Sequence, residues 1–168
     1  YYYTFNLSGN ESANPAFEDV RVREALSLAV DRNIITDAVL QGGQFQAYTF
    51  TPALTAGFET PDVPIASMSQ ADRDAKAKEL MAAAGYGMDN PLSFDMLYNT
   101  SEGHKKIAVA MSQMWKQKLG VEVELANQEW KTFLDTRGNQ AFQLARGAWC
   151  GDYNEASTFL DLLDSDSG

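Results

Sequence analysis

The sequence of 168 residues contains one cysteine, Cys150, and one histidine, His104. A single cysteine cannot form an internal disulfide, so Cys150 is expected to be either a buried thiol or half of a bond whose partner lies outside this sequence. One histidine and one cysteine, without a short-spaced set of further ligands, do not make a metal site, and no cofactor is expected. A cysteine–histidine enzyme is not expected either, because the acidic and apolar neighbours of Cys150 disfavour the thiolate that a nucleophile needs.

Long apolar runs and basic clusters are also absent from the sequence. No apolar run approaches the roughly 18 residues that a membrane-spanning helix needs. The chain opens on Tyr1-Tyr2-Tyr3 with no methionine and no charged-then-apolar leader, which indicates a mature, trimmed or excised chain. With 23 Asp and Glu residues against 13 Lys and Arg residues, the net charge is -10. Because that charge opposes binding to phosphate backbones, nucleic acid is not expected as a partner.

The composition, 45% hydrophobic and 21% charged, is that of a globular protein, and the length fits one domain or one lobe of a larger protein. An alternating aromatic stretch over residues 1–7 predicts a first strand. A proline-containing stretch over residues 51–68 predicts a long surface loop that holds at most short strands. Three helices are predicted to begin at the capping residues Asp19, Asp31 and Ser69. The second of them is expected to turn inward its apolar side chains at helical spacing, namely Ile34, Ile35, Ala38 and Val39.

Strand and helix patterns alternate through the second half of the chain. Strands are predicted over residues 92–98, 121–125 and 142–148, with helices over 101–119 and 129–136 between them. Connections of this kind require parallel pairing with right-handed crossovers, which predicts an α/β fold. Parallel sheets bind ligands outside the carboxyl ends of their strands, so the residues that follow each strand are candidates for a site.

Polar and aromatic side chains follow each of these three strands. His104 follows the first strand, Trp130 follows the second, and Trp149 and Asp152 follow the third. A tryptophan beside small residues and an isolated carboxylate is typical of a ligand pocket with an apolar wall and one fixed negative charge. The alternative is a buried Trp149, a buried Cys150 and a turn-forming Asp152, and both interpretations stay open at this point.

Several runs of the sequence resemble the periplasmic oligopeptide-binding proteins of bacterial ABC importers, a peptide branch of the extracytoplasmic solute-binding family. The resemblance covers nearly the whole chain and is most specific around the second and third tryptophans. The runs that carry it are Phe17–Leu26, Asp31-Arg32, Leu97–Ser101, His104-Lys105-Lys106, Asn127–Arg137 and Trp149–Glu155.

The resemblance implies how a peptide would be bound. Asp152 would pair with the N-terminal ammonium of the peptide, because an ammonium group in a desolvated site needs a carboxylate. The side chains of the peptide would be walled by Trp130, Trp149 and the adjoining Cys150. The carboxylate end of the peptide would lie near Arg137, Arg146 and His104, although Arg137 and Arg146 are also candidates for surface salt bridges.

The resemblance also implies an architecture and a setting. Residues 1–168 would be one lobe, a fragment, of a two-lobed receptor whose mixed sheet contains parallel βαβ units flanked by helices. This monomeric receptor would hold an extended oligopeptide between its lobes and deliver it to a membrane permease. It would work in the periplasm, or as a lipid-anchored protein outside a Gram-positive cell, and Cys150 would be bonded to a cysteine just upstream of Tyr1. A sensory receptor and a receptor dedicated to murein peptides are the alternatives.

Overall fold

The structure is a computed structural model, and it describes residues 1–165. The strands are β1 (Tyr2–Phe5), β2 (Ser93–Asn99), β3 (Glu122–Gln128) and β4 (Leu144–Gly147). The α-helices are α1 (Val20–Ala29), α2 (Pro64–Ser67), α3 (Gln70–Ala83), α4 (Glu102–Leu119), α5 (Trp130–Gly138) and α6 (Ser157–Leu160). Short 3₁₀ helices span Pro15–Glu18 and Asp161–Leu163, and a π-helical segment spans Ile34–Leu40.

The four strands form one mixed sheet in the order β1-β4-β2-β3. Strand β2 is parallel to both β3 and β4, whereas β1 is antiparallel to β4. Helix α4 connects β2 to its neighbour β3, and helix α5 connects β3 to β4 on the far side of β2. The predicted α/β fold with parallel βαβ units is therefore confirmed.

The main hydrophobic core lies between one face of the sheet and the helices α1, α3 and α4. Four aromatic rings cross it in edge-to-face contacts: Phe5 meets Phe17 at 4.8 Å, Phe17 meets Phe94 at 5.1 Å, and Phe94 meets Trp115 at 5.7 Å between centroids. The Trp115 indole Nε1 donates to the Leu26 carbonyl oxygen at 2.8 Å, so its one polar atom is paired inside the core. Each such buried ring contributes about 1.5 to 3 kcal/mol, and together they fix α4 against the sheet.

Helix α5 packs on the opposite face of the sheet. The fully buried Phe133 of α5 packs on Leu97 of β2 and Ala145 of β4. Glu129 caps this helix, its carboxylate accepting the Lys131 N–H at 2.7 Å. The small core thereby holds the first turn of α5 beside the carboxyl end of β3.

The helix predicted after Asp31 differs from expectation. Residues 34–40 are π-helical, and the Gln41 N–H donates to the Thr36 carbonyl oxygen, five residues back, at 3.0 Å. Ile35 and Val39 are half-buried and pack on the main core, as predicted. Ile34 and Ala38, which were also predicted to face inward, are exposed, and the buried residue of the segment is Thr36.

Two further segments differ from the prediction, namely the loop over residues 51–68 and the end of β3. The loop over residues 51–68, predicted to hold at most short strands, contains the one-turn helix α2, which has Pro64 at its first position. A proline is suited to that position because its fixed φ matches the helix and no N–H is needed there. Strand β3 extends to Gln128, three residues past the predicted end, because its backbone stays paired with β2 as far as Asn99.

Candidate functional site

The carboxyl ends of the three parallel strands lie along one edge of the sheet. Asn99 and Gln128 are paired at the ends of β2 and β3, and β4 ends beside them at Gly147. Because β1 is antiparallel to β4, its amino end reaches the same edge, with Tyr2 opposite Gly147. The edge therefore gathers the segments that follow three strands and the segment that precedes a fourth.

A cluster at this edge joins His104 and Arg146 through Tyr1. The Tyr1 hydroxyl lies 3.3 Å from His104 Nδ1, and the two rings are 5.5 Å apart between centroids. The Arg146 guanidinium carbon lies 5.0 Å from the centroid of the Tyr1 ring, and Arg146 Nη1 donates to Asn99 Oδ1 at 3.1 Å. Within residues 1–165 no carboxylate pairs with Arg146, so its charge is balanced only by an aromatic face and an amide.

The imidazole of His104 responds to these surroundings. Partial burial and then the positive charge of Arg146 lower the pKa of His104 below its ordinary value. Both effects disfavour the charged imidazolium. An anion placed between His104 and Arg146 would reverse the second effect, since it would stabilise both positive charges.

Helix α5 presents a second aromatic and cationic group. Trp130, which is 52% exposed, stacks on the buried Phe133 at 5.8 Å and an interplanar angle of 21°. The Arg137 guanidinium carbon lies 5.8 Å from the centroid of the same Phe133 ring. Within the described part of the chain Arg137 makes no salt bridge, so the alternative of a surface ion pair does not hold for it. Phe133 thus orients one indole and one guanidinium.

The segment after β4 is held by a buried threonine in α6. Thr158 Oγ1 accepts the Asp152 N–H at 3.0 Å and lies 3.5 Å from the Trp149 indole Nε1. Trp149 is 41% exposed and Cys150 is an exposed free thiol, so the alternative of a buried tryptophan and a buried cysteine is wrong. Asp152 lies in a bend, and its carboxylate accepts no hydrogen bond and joins no ion pair from residues 1–165, so its side chain does not cap that bend.

Tyr1 and Thr158 were not anticipated from the sequence. Tyr1 reaches the site through antiparallel pairing of β1 with β4, and pairing between distant strands leaves no local signal. Thr158 follows a polar loop and carries no pattern that separates it from an ordinary helix residue.

The edge as a whole suits a ligand with opposite charges at separate points and apolar groups between them. Among residues 1–165 it carries the unpaired Asp152 carboxylate, two exposed indoles, the Arg146 guanidinium and one imidazole, whereas Arg137 lies in the last turn of α5, away from the end of β3. Among residues 1–165, no three His, Cys, Asp or Glu side chains are grouped closely enough to hold a metal ion. No helix in that range combines the length and apolarity needed to cross a bilayer.

These features define an α/β module with a charged and aromatic edge. All 168 residues match the family described as bacterial extracellular solute-binding proteins, family 5 middle, and the chain belongs to that family. The resemblance seen in the sequence is therefore confirmed, and the family is one of solute-binding proteins.

Three relatives illustrate the similarity. The periplasmic oligopeptide-binding protein OppA of Salmonella typhimurium is 50% identical over 167 residues, which cover 99% of this chain and 30% of that protein. The structure of the Escherichia coli murein tripeptide-binding protein MppA superposes with a TM-score of 0.91 at 49% identity, covering 99% of this chain and 32% of that one. Haemophilus influenzae OppA in complex with the peptide RPPGFSPFR gives a TM-score of 0.89 at 40% identity, covering 98% and 32%. The chain thus spans about a third of the length of these relatives.

Proposed function

We propose that this chain is the peptide-binding part of a two-lobed receptor that holds an extended oligopeptide for an ABC importer. The observation that carries the proposal is the Asp152 carboxylate, which has no partner among residues 1–165, at the same sheet edge as the Arg146 guanidinium, with which no carboxylate in that range pairs. A free peptide is a zwitterion, and an edge with separate negative and positive groups matches its two ends. The likeness to relatives named for oligopeptide and murein tripeptide binding supports the same ligand class.

Each candidate residue has a role in this proposal. Asp152 receives the N-terminal ammonium, and the indoles of Trp130 and Trp149 form apolar walls for peptide side chains. Cys150 adjoins Trp149 and extends this wall. The cations bind the carboxylate end of the peptide at positions that depend on its length, and these are Arg137, Arg146 and His104. Wet, aromatic-walled pockets accept many side chains, because water can mediate the polar contacts that direct bonds do not make.

The wider setting is part of the same proposal. Residues 1–168 form one lobe, the remaining two thirds of the receptor supply the rest of the clamp, and the receptor works as a monomer in the periplasm or on the outer face of a Gram-positive membrane. Its partner is a membrane permease, its task is binding and not catalysis, and it requires no cofactor. The relatives named as periplasmic proteins support the location.

Native mass spectrometry of the full-length protein purified from its source tests the ligand class directly. We expect masses of peptides of two to several residues, retained as non-covalent complexes. Detection of a single murein-derived tripeptide would assign the narrower function of murein-peptide binding. The E. coli relative that is 51% identical to this chain is named for that function. A bound ligand without an amino-terminal ammonium, or none at all, would contradict the proposal.

Peptide binding is expected to depend on pH through His104. The pKa of His104 is lowered in the free protein. A peptide carboxylate beside His104 and Arg146 should raise this pKa, so the protein should take up protons when the peptide binds. Affinity should therefore increase as the pH falls toward and below about 6.5, by up to about tenfold for a rise of one pKa unit. In the absence of ligand, the contribution of His104 to folding stability changes with pH in the opposite direction to the affinity. The folded chain binds fewer protons than the unfolded chain, so stability decreases as the pH falls below about 6.5.

Calorimetry in two buffers of different ionisation enthalpy measures this proton uptake. The variant His104→Gln should abolish the uptake, and a C-terminally amidated peptide should reduce it in the wild type. Equal proton uptake by the wild type and by His104→Gln would show that another group titrates.

Cys150 is expected to form a disulfide in the exported full-length protein. Tyr2 is paired with Gly147 in the antiparallel ladder of β1 and β4. In such a ladder, each residue before Tyr2 lies opposite a residue one position further after Gly147. If this pairing continues, the second residue before Tyr1 faces Cys150. Opposite residues of antiparallel strands have Cα atoms about 4.5 to 5.5 Å apart, which suits a disulfide. The exposed thiol of Cys150 is thus accessible to a cysteine at that position.

Thiol labelling of the unfolded, unreduced full-length protein checks this expectation. Cys150 should stay unlabelled until a reductant is added. Quantitative labelling before reduction would show that the bond is not made.

A further inference from the structure

The loop of residues 44–58, called the strap here, runs from the helical layer to the segment that carries Asp152. It contains no helix or strand. Its attachments to the rest of the molecule include contacts made by Tyr48, Phe50 and Ala56, which lie in different parts of the loop.

The first attachment is Tyr48. Its ring lies between two guanidinium groups, with the carbon of Arg32 at 4.7 Å and that of Arg73 at 5.4 Å from the ring centroid. Arg73 is only 5% exposed, and its Nη1 donates to the Tyr48 hydroxyl. Within residues 1–165 no carboxylate pairs with either arginine. Tyr48 is therefore the main polar partner of a buried cation, which fixes the start of the strap on α3.

The second attachment is Phe50, at the sheet edge. The Phe50 ring meets the Tyr2 ring at 5.1 Å between centroids. Tyr2 in turn covers Gly147, where a side-chain Cβ would lie 2.3 Å from the Tyr2 ring. The lack of a side chain at Gly147 is what allows Tyr2 to lie over the end of β4 and contact the strap.

The third attachment joins the strap to the candidate ligand segment. The Ala56 N–H donates to Asn154 Oδ1 at 2.8 Å. Beside this bond, residues of the strap and of the segment line a shallow cleft of about 350 Å³, and they are Pro52, Leu54, Thr55, Gly151, Tyr153 and Phe159. The strap therefore packs along the segment on which Asp152 lies.

We infer that the strap positions the Asp152 carboxylate and that Asn154 is the positioning residue at their junction. The Asp152 carboxylate has no partner among the described residues, so its location depends on the backbone that carries it. That backbone is irregular and is held at Asp152 by Thr158 and at Asn154 by Ala56. A binding group is effective only when its supporting contacts hold it within a fraction of an ångström of the productive position. This inference rests on the proposed ammonium-binding role of Asp152.

The test compares free and N-acetylated forms of one peptide in the full-length receptor. Asn154→Ala should weaken the free peptide about three- to tenfold, the range expected for loss of one hydrogen bond. The acetylated peptide should be weakened less, because it does not use Asp152, so the ratio of the two affinities should fall. A control is Asn10→Ala at the other edge of the sheet. It removes the bond from Asn10 Nδ2 to the Gln140 carbonyl oxygen at 3.0 Å and the bonds that Asn10 Oδ1 accepts from Asn6 Nδ2 and the Ser12 N–H, and it should leave the ratio unchanged.

A second pair of variants tests the strap from its other end. Phe50→Ala should lower the same ratio, and the double variant with Asn154→Ala should lower it no further than the stronger single variant. The control Phe45→Ala removes a ring on the same strap that is 82% exposed, and it should leave the ratio unchanged. An unchanged ratio in Asn154→Ala, or equal weakening of both peptides, would overturn the inference. If the wild type itself fails to discriminate the two peptides, the proposed function fails, and the inference fails with it.

Discussion

In the full-length receptor, Asp152→Asn is expected to weaken the binding of free peptides by about thirty-fold to several-thousand-fold. The substitution keeps the shape of the side chain and removes its charge. Removing one partner of an enclosed ion pair leaves the other partner buried and uncompensated, which typically costs about 2 to 5 kcal/mol. The large value depends on closure of the two lobes, because an enclosed pair is charge-assisted and poorly screened by salt.

N-acetylation of the peptide removes the same interaction from the other side. It should weaken binding to the wild type by a similar factor, and the two losses should not add, because both act on one contact. A matched control is Asp89→Asn, an exposed carboxylate in the turn before β2, at the opposite edge of the sheet. If Asp152→Asn discriminates free from acetylated peptide by the same ratio as the wild type, Asp152 does not bind the ammonium.

The parts of the fold that could be predicted are those that depend on local pattern. Alternation in β2 and the apolar stripe of α4 are properties of neighbouring residues, and the order of strands and helices then required parallel pairing. The helix after Asp31 could not be predicted in detail, because its apolar spacing fits an α-helix while the Gln41-to-Thr36 hydrogen bond closes a wider turn. Contacts with residues distant in sequence decide between the two kinds of turn, and the local spacing of apolar residues contains no information on those contacts.

The candidate site could likewise be predicted only in part. The positions of His104, Trp130 and Asp152 follow from the rule that parallel strands share one carboxyl edge. The contacts that hold such residues follow from pairings over long distances in sequence: Tyr1 with His104, and Asn154 with Ala56, are 103 and 98 positions apart. The degree of exposure of Trp149 likewise depends on what packs on it, which composition does not specify.

The isolated chain of residues 1–168 is expected to fold but to bind peptides poorly. Its main core is complete, since Phe17, Leu26 and Met96 are fully buried, and circular dichroism should show a cooperative thermal transition. Its candidate site is open: Trp130 is 52% and Trp149 41% exposed.

On such an open surface, an ammonium–carboxylate pair is surrounded by water and contributes only about 0.2 to 1 kcal/mol. An extended peptide also loses the second set of backbone hydrogen bonds that an opposing lobe would supply. Calorimetry with a tripeptide should therefore give an affinity weaker than micromolar for the isolated chain, and Asp152→Asn should change it less than about fivefold, against at least about thirty-fold in the full-length receptor. Micromolar or tighter binding by the isolated chain would mean that one lobe suffices, and that enclosure between two lobes is not the source of the affinity.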